Sequence, residues 1–254
     1  MSKNVSCPCC EEVAFKTSYF IKNSFYKKRY YYFCKFCDHK FLANFNQKDV
    51  LIYYKDLKSE MTSRYFKGFK KRKSLIKNKI SKYIPNEPIS ILEIGPGSLG
   101  LFSIFNNKSK YIIVEPNEKN KEHLLKENRD IIHFDSIDDI SETDIDLLIS
   151  ISCFEHFVDP KYEFNKILGS LKTGSTIIIG VPDSFIELPK FQILNEEEEQ
   201  EDKEVFADKD HIHCFSQNSL KKMIDKNCQI IDIVPLFPKK YSEYIEDFNS
   251  NLQK

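Results

Sequence analysis

Gly95-Pro-Gly97, with Gly100 three residues on, closes the apolar run Ile89-Ser-Ile-Leu-Glu-Ile94. A residue without Cβ permits tight positive-φ turns and lets backbone N–H groups come up against a ligand. A strand, this glycine turn and a helix starting near Leu99 together make a nucleotide-binding corner. Glu115 lies 20 residues after Gly95 at the end of a second apolar run, placed to accept hydrogen bonds from ribose hydroxyls. By itself this spacing fits NAD as well as other adenosine-bearing cofactors. Two features point away from NAD. An acid, Glu93, precedes the first glycine, and Asp135-Ser136-Ile137 follows a third apolar run, where an adenine amine needs an acceptor. The turn also carries no basic residue for a pyrophosphate.

A second chemistry lies at the front. Of eight cysteines, Cys7, Cys9, Cys10, Cys34 and Cys37 fall within the first 37 residues. Cys7-Pro-Cys-Cys10 and Cys34-Lys-Phe-Cys37 form two C-x2-C knuckles separated by 23 residues. Two such knuckles can set four thiolates tetrahedrally around Zn²⁺ at about 2.3 Å. Cys9 offers an alternative pairing with Cys7, but the x2 spacing that matches the second knuckle favours Cys10. Asp38 follows the second pair, where glycine would be easiest; Asp tolerates the left-handed conformation. Cys153, Cys214 and Cys228 stand apart from this cluster and read as packing residues.

The elements that position these groups alternate. Tyr19-Phe-Ile21 and Tyr30–Phe33 are short strands carrying the knuckles, in a zinc ribbon over residues 1–48. Residues 49–85 form a basic linker with helical periodicity. Tyr65, Phe69, Ile76, Ile80 and Tyr83 fall on one face, and Lys67, Lys70, Lys71, Arg72, Lys73, Lys77 and Lys79 crowd the rest. Pro85 and Pro88 end it. From residue 86 to 254 the chain reads as one α/β domain. Strands are expected at Ile89–Ile94, Tyr111–Glu115, Ile131–Phe134, Asp144–Ser152, Ser175–Val181 and Gln229–Val234. Helices are expected at Asn117–Asn128, Lys161–Leu171 and Gln217–Asn227. Strands spaced by helices predict an α/β fold with a doubly wound, mostly parallel Rossmann-like sheet beside the small N-terminal zinc ribbon. The acidic run Glu196–Asp202 reads as a solvated loop rather than a metal site.

Composition narrows the classes. Lys+Arg 38 against Asp+Glu 38 gives no net charge, which makes nucleic acid the weaker partner class and argues against an acidic membrane surface. No leader-like apolar segment opens the sequence and no run approaches the ~18 apolar residues of a membrane helix, so a cytoplasmic protein is expected. There the paired cysteines suggest metal rather than disulfides.

Leu92-Glu-Ile-Gly-Pro-Gly97, Val114-Glu-Pro-Asn117, Asp135-Ser-Ile137, Asp146–His156 and Leu171–Pro182, in this order, make the chain resemble the class I S-adenosylmethionine-dependent methyltransferases. The front end resembles bacterial members with an N-terminal zinc ribbon, including sugar C-methyltransferases, and Asp210-His-Ile-His-Cys-Phe-Ser216 resembles an element late in those domains. Two departures stand out: Leu99 occupies the usual place of the third glycine, and no counterpart of the large C-terminal domain of the sugar C-methyltransferases is expected. The resemblance implies S-adenosyl-L-methionine as cofactor beside Zn²⁺ on Cys7, Cys10, Cys34 and Cys37. It implies cofactor contacts from Glu93, Gly95, Gly97, Glu115, Pro116, Asp135, Ser136, Ile137 and Ser152. His156, His211 and His213 are the candidate bases, since histidine can take a proton near neutral pH. The expected partner is a small-molecule methyl acceptor: a sugar, nucleotide-sugar or surface-glycan intermediate. Other readings are an RNA methyltransferase, favoured by the lysine-rich segment, and a non-catalytic zinc-ribbon binding or scaffold protein. An NAD oxidoreductase ranks last.

Overall fold

The computed structural model describes residues 4–23, 27–56, 73–84, 88–105, 109–127, 130–141, 143–183, 203–204, 211–224, 226 and 228–233. In chain order the strands are β1 (Val5–Ser6), β2 (Val13–Asn23), β3 (Lys27–Cys34), β4 (His39–Leu42), β5 (Ser90–Ile94), β6 (Lys110–Val114), β7 (Ile132–Phe134), β8 (Ile145–Ile151), β9 (Leu171–Gly180), β10 (Lys203–Glu204) and β11 (His213–Cys214). The helices are α1 (Gln47–Asp56), α2 (residues 73–80), α3 (Glu118–Glu127), α4 (Pro160–Leu168) and α5 (Gln217–Met223). Two compact units result. One joins Met1–Val50, Phe154–Asn165 and Val181–Gln229; the other joins Leu51–Cys153, Lys166–Gly180 and Ile230–Lys254.

The first unit is built on a sheet of order β1-β2-β3-β4-β11, with β10 also pairing β2. Its strands are longer than the sequence suggests, because Val13–Asn23 and Lys27–Cys34 are rich in aromatic and β-branched residues that suit a pleated surface. Their register shifts between Lys16 and Phe20. There the Thr17 hydroxyl donates to Tyr31 O at 2.8 Å and accepts from Tyr19 N at 3.2 Å, taking the place of a ladder bond. The ribbon thus recruits two strands, β10 and β11, from far along the chain. Ser216 begins α5 with a capping box to Ser219, and its hydroxyl donates to Cys37 O at 3.0 Å, which clips that helix to the second knuckle.

The second unit holds a sheet of order β7-β6-β5-β8-β9. Every pairing in it is parallel. Parallel strands need crossovers, and near-continuous apolar runs such as Ile145–Ile151 suit strands buried on both faces. On one face Ile91, Tyr111, Ile113, Leu147 and Ile149 pack with Ile76 and Ile80 of α2 and Leu124 of α3. Ile76 and Ile80 thereby take the buried face expected of the basic linker; Tyr65, Phe69, Lys67, Lys70, Lys71 and Arg72 lie outside the described residues, as do Pro85 and the acidic run Glu196–Asp202.

Four local expectations differ from the structure. α4 ends at Leu168, and Leu171, expected as the last residue of that helix, opens β9 ahead of the strand expected at Ser175–Val181. No α-helix follows the glycine turn directly; two 3₁₀ turns do, Gly97–Leu99 and Phe102–Ile104. α5 stops at Met223, short of Asn227. Of the strand expected at Gln229–Val234, the described residues 229–233 are not in a strand. Ile230, Ile231 and Ile233 are 41%, 76% and 44% exposed, so β propensity finds no ladder to join. Asp232 instead accepts from Lys82 Nζ at 3.0 Å and from the Tyr83 hydroxyl.

Candidate functional site

The strand order fixes where a ligand belongs in the second unit. From β5 the chain moves outward to β6 and β7, then returns to the other side of β5 for β8. That reversal is a topological switch point, and open α/β sheets bind ligands at the carboxyl ends of the strands flanking it. Those ends are Gly95–Gly97 after β5 and Ser152–Cys153 after β8.

Gly95 and Gly97 both have positive φ, 65° and 61°. Their surroundings differ. A Cβ on Gly95 would stand 2.6 Å from Cys153 Sγ, so glycine here lets the two loops meet. A Cβ on Gly97 would meet nothing within 4 Å, so space opens in front of that residue. Ser152 also has positive φ, 56°, and its N–H donates to Gly180 O at 2.7 Å. A non-glycine residue held left-handed at a strand end is strain of the kind that clusters at functional sites.

Glu115 is 5% exposed. Its Oε2 accepts from Gly97 N at 2.9 Å and its Oε1 from Asn117 N at 2.9 Å. Burial raises its pKa, while the N–H groups of Asn117 and Gly97 pull the other way. Glu93 does not face the opening. It is buried at 4% exposure, accepts from Leu101 N at 2.9 Å and from the Tyr111 hydroxyl, and lies beneath Gly100. Burial raises its pKa as well. Lys73 reaches the same segment from α2, donating to Gly100 O at 2.6 Å. Glu93 therefore holds the turn's far side from within the core.

Asp135 stands 3.5 Å from Lys121 Nζ and 3.4 Å from His133 Nε2. The Ser136 hydroxyl accepts from Asp138 N at 3.2 Å and starts a 3₁₀ turn in which Ile137 is buried. Pro116 sits half-buried between Glu115 and Asn117. The carboxyl-terminal ends of β5, β6, β7 and β8 thus carry Gly95, Gly97, Glu115, Pro116, Asp135, Ser136, Ile137 and Ser152, whereas Glu93 lies inside β5 and faces the core.

In the first unit, the sulfurs of Cys7, Cys10, Cys34 and Cys37 lie within 4.8 Å of one another. Cys7–Cys37, Cys10–Cys34 and Cys10–Cys37 are 3.6, 3.5 and 3.4 Å apart. A tetrahedron with arms of about 2.3 Å has edges of roughly 3.8 Å, so the separations suit one tetrahedral ion. Each knuckle closes on a left-handed residue after its second cysteine: Glu11 at φ 68° and Asp38 at φ 57°. That equivalence pairs Cys7 with Cys10. Cys9 is fully buried outside the four, and burial pushes its thiol pKa up. Hydrogen bonding between Cys7 and Cys37 lowers the pKa of the first and raises that of the second. Packed thiols without a cation cannot all ionise.

The three histidines separate. His213, on β11, is 1% exposed and packs among His39, Phe41 and Phe215. His39 Nε2 and its Nδ1 share a hydrogen bond of 3.0 Å, and burial lowers its pKa to about 4. It is a neutral sheet residue. His156 and His211 meet instead, with ring centroids 4.9 Å apart at 68°, and His211 Nε2 is 3.8 Å from Glu155 Oε1.

A family model described as a methyltransferase domain matches residues 68–227, more than half of the chain. The chain belongs to that family. With its parallel α/β sheet, it is a class I S-adenosylmethionine-dependent methyltransferase. Among solved structures it is similar to the plantazolicin methyltransferase BpumL in complex with SAH, at 16% identity and TM-score 0.47, covering 68% of this chain and 71% of that one. It is also similar to an S-adenosylmethionine-dependent methyltransferase from Clostridium acetobutylicum, at 15% identity and TM-score 0.45, covering 69% and 84%. No curated protein matches it.

Several residues of this methyltransferase that serve the site escaped the sequence. Tyr111 is one. In the parallel register Ile113 pairs with Glu93, so Tyr111, two residues back, lies on the same face and reaches the carboxylate. Asn117 is another: its Oδ1 accepts from Asn120 N at 3.1 Å and its Nδ2 donates to Tyr54 O at 2.9 Å, tying α3 to α1. An Asn just before a helix was the available signal. Glu155 was hidden beside His156, with nothing in the sequence to show that it would be wholly buried.

Proposed function

We propose that the protein transfers a methyl group from S-adenosyl-L-methionine to a small-molecule acceptor: a sugar, nucleotide-sugar or surface-glycan intermediate. The observation that carries the cofactor reading is the corner at the switch point. Gly97 opens onto free space while the Glu115 carboxylate, still able to accept further hydrogen bonds, lies beneath it. The bound cofactor supplies a methyl already made electrophilic by its sulfonium charge. The chain's part is then to hold it and to remove a proton from the acceptor. Gly95, Gly97 and Ser152 would bound the methionine end, Glu115 and Pro116 the ribose, and Asp135, Ser136 and Ile137 the adenine. Glu93 would act by positioning the turn. The acceptor's proton falls to the group around His156 and His211 rather than to His213, which is neutral and packed in a sheet.

Zn²⁺ on Cys7, Cys10, Cys34 and Cys37 would be structural, since four thiolates leave no open position. The division into a ribbon at 1–48, a basic linker at 49–85 and a methyltransferase domain at 86–254 is proposed with it, as is a cytoplasmic location. Among the described residues no helix is long and apolar enough to cross a membrane. The sugar class rests on the resemblance of the ribbon-bearing front end. Calorimetry with S-adenosylhomocysteine tests the cofactor, and transfer of labelled methyl to a panel of nucleotide-sugars, RNA and peptides tests the acceptor. Binding without transfer to any sugar would overturn the acceptor class and leave the cofactor reading intact.

A further inference from the structure

We propose that Glu155, His156 and His211 form a binding site for a divalent transition-metal ion, distinct from the four cysteines. Glu155 and His156 belong to the 3₁₀ turn Phe154–His156, and Ile212 N donates to Glu155 O at 2.8 Å, which fixes His211 beside that turn. One carboxylate oxygen and one nitrogen from each imidazole then lie within 4.8 Å of one another.

Three observations favour an ion over a simple ion pair. The Glu155 side chain is fully buried beside two imidazoles, and carboxylates are seldom fully buried except where they are paired or coordinate a metal. His211 Nε2 stands 3.8 Å from Oε1, beyond the ~2.7–3.2 Å of an N–H···O hydrogen bond. Ligands with arms of about 2.0–2.2 Å around one tetrahedral ion sit roughly 3.3–3.6 Å apart, so the Glu155–His211 pair at 3.8 Å closes by a few tenths of an ångström and the remaining separations, all within 4.8 Å, by at most about 1.5 Å. The rings also meet edge to face rather than stacked, and imidazoles approaching at such an angle can turn their nitrogens to a common point.

The donor set names the ion's class. Two imidazoles and a carboxylate suit Zn²⁺, Fe²⁺, Mn²⁺, Co²⁺ or Ni²⁺ better than Ca²⁺ or Mg²⁺, which prefer oxygen throughout. Three protein ligands leave a position for water or another oxygen donor, unlike the closed cysteine site. An ion there would acidify that oxygen, and the imidazoles would then serve as ligands in place of the base role proposed for them. This role rests on the proposed methyl transfer; the site itself does not.

The test reads metal rather than methylation. The full chain is dialysed against Co²⁺ or Zn²⁺ and its metal content measured, for wild type, Glu155→Gln, His156→Gln and His211→Ala. Two ions per chain in wild type, falling to one in each variant, is expected. With Co²⁺, the thiolate charge-transfer bands should persist in the variants while the weaker d–d bands of the nitrogen–oxygen site disappear. Persistence of the thiolate bands reports that the ribbon is intact, so loss of the second ion cannot be ascribed to unfolding. One ion per chain in wild type, or a second ion retained in all three variants, overturns the proposal.

Discussion

The Glu115 carboxylate accepts the backbone N–H of Gly97 at 2.9 Å, so a residue at the end of β6 holds the glycine turn that follows β5. Its other oxygen holds Asn117 N at the start of α3. Under the proposed function the same carboxylate also receives the ribose. Glu115→Ala should therefore weaken S-adenosylhomocysteine binding about 10- to 100-fold in calorimetry, the equivalent of ~1.5–3 kcal/mol for charged hydrogen bonds. Because burial raises the Glu115 pKa, acid should begin to weaken binding above the ordinary carboxylate range. Unchanged affinity in the variant would remove Glu115 from the cofactor site.

The two glycines of the turn should separate stability from binding. Gly95→Ala combines a left-handed alanine with a Cβ 2.6 Å from Cys153 Sγ, and should cost about 2–4 kcal/mol in urea unfolding. Adding Cys153→Ala should return part of that loss, because the clash is with that side chain. Gly97→Ala meets open space and should cost only about 1–2 kcal/mol, while weakening cofactor binding more than Gly95→Ala does per unit of stability lost. Equal stability losses in both variants would contradict this assignment.

Much of this was legible from the sequence for a physical reason. The strand at β5, the glycine turn and Glu115 are local signals: apolar runs, positive-φ glycines and a fixed chain spacing. The knuckles were legible too, since Cys7 to Cys10 and Cys34 to Cys37 are constrained by a turn of set length. What was not legible depended on pairing. β10 and β11 join the ribbon sheet at Tyr19–Phe20 and Lys40–Phe41, and nothing local to Lys203–Glu204 or His213–Cys214 announces that. The same dependence on pairing makes Gln229–Val234 read as a strand, and keeps His213 among the candidate bases although β11 carries it into the packing of His39 and Phe215. A histidine's type is visible in a sequence; its dielectric is not.

Removing metal should act on the first unit through the knuckles. Without a cation, Cys7, Cys10, Cys34 and Cys37 hold their sulfurs 3.4–3.6 Å apart with only hydrogen bonds to offset mutual repulsion of any thiolates. A strong chelator, or Cys34→Ser, should accelerate amide exchange in β3 and β4, whose register runs from Cys34↔His39 to Tyr31↔Leu42. Protection unchanged by complete demetallation would show that the cysteines do not hold a structural ion.

His213 should make stability pH-dependent in a definite direction. Burial lowers its folded-state pKa to about 4, against an ordinary value of ~6.5, so it is neutral when folded and takes up a proton on unfolding as the medium becomes acidic. The unfolded state binds more protons between those two values. Stability contributed by the neutral ring is therefore complete above about pH 6.5 and is lost as pH falls toward 4. At about 1.4 kcal/mol per pKa unit, the loss is on the order of 3 kcal/mol. His39 shares this behaviour, its pKa also lowered by burial first and by His213 second. Thermal midpoints should fall steeply from pH 7 to pH 4.5 in the wild type. His213→Gln, which keeps a neutral polar side chain, should be less stable at pH 7 but show a shallower fall. Because acid would also release a metal held by the proposed thiolate site, the decisive quantity is the difference in slope between the two proteins, which both carry the same knuckles. Parallel slopes would mean that His213 titrates normally and that its burial carries no electrostatic cost.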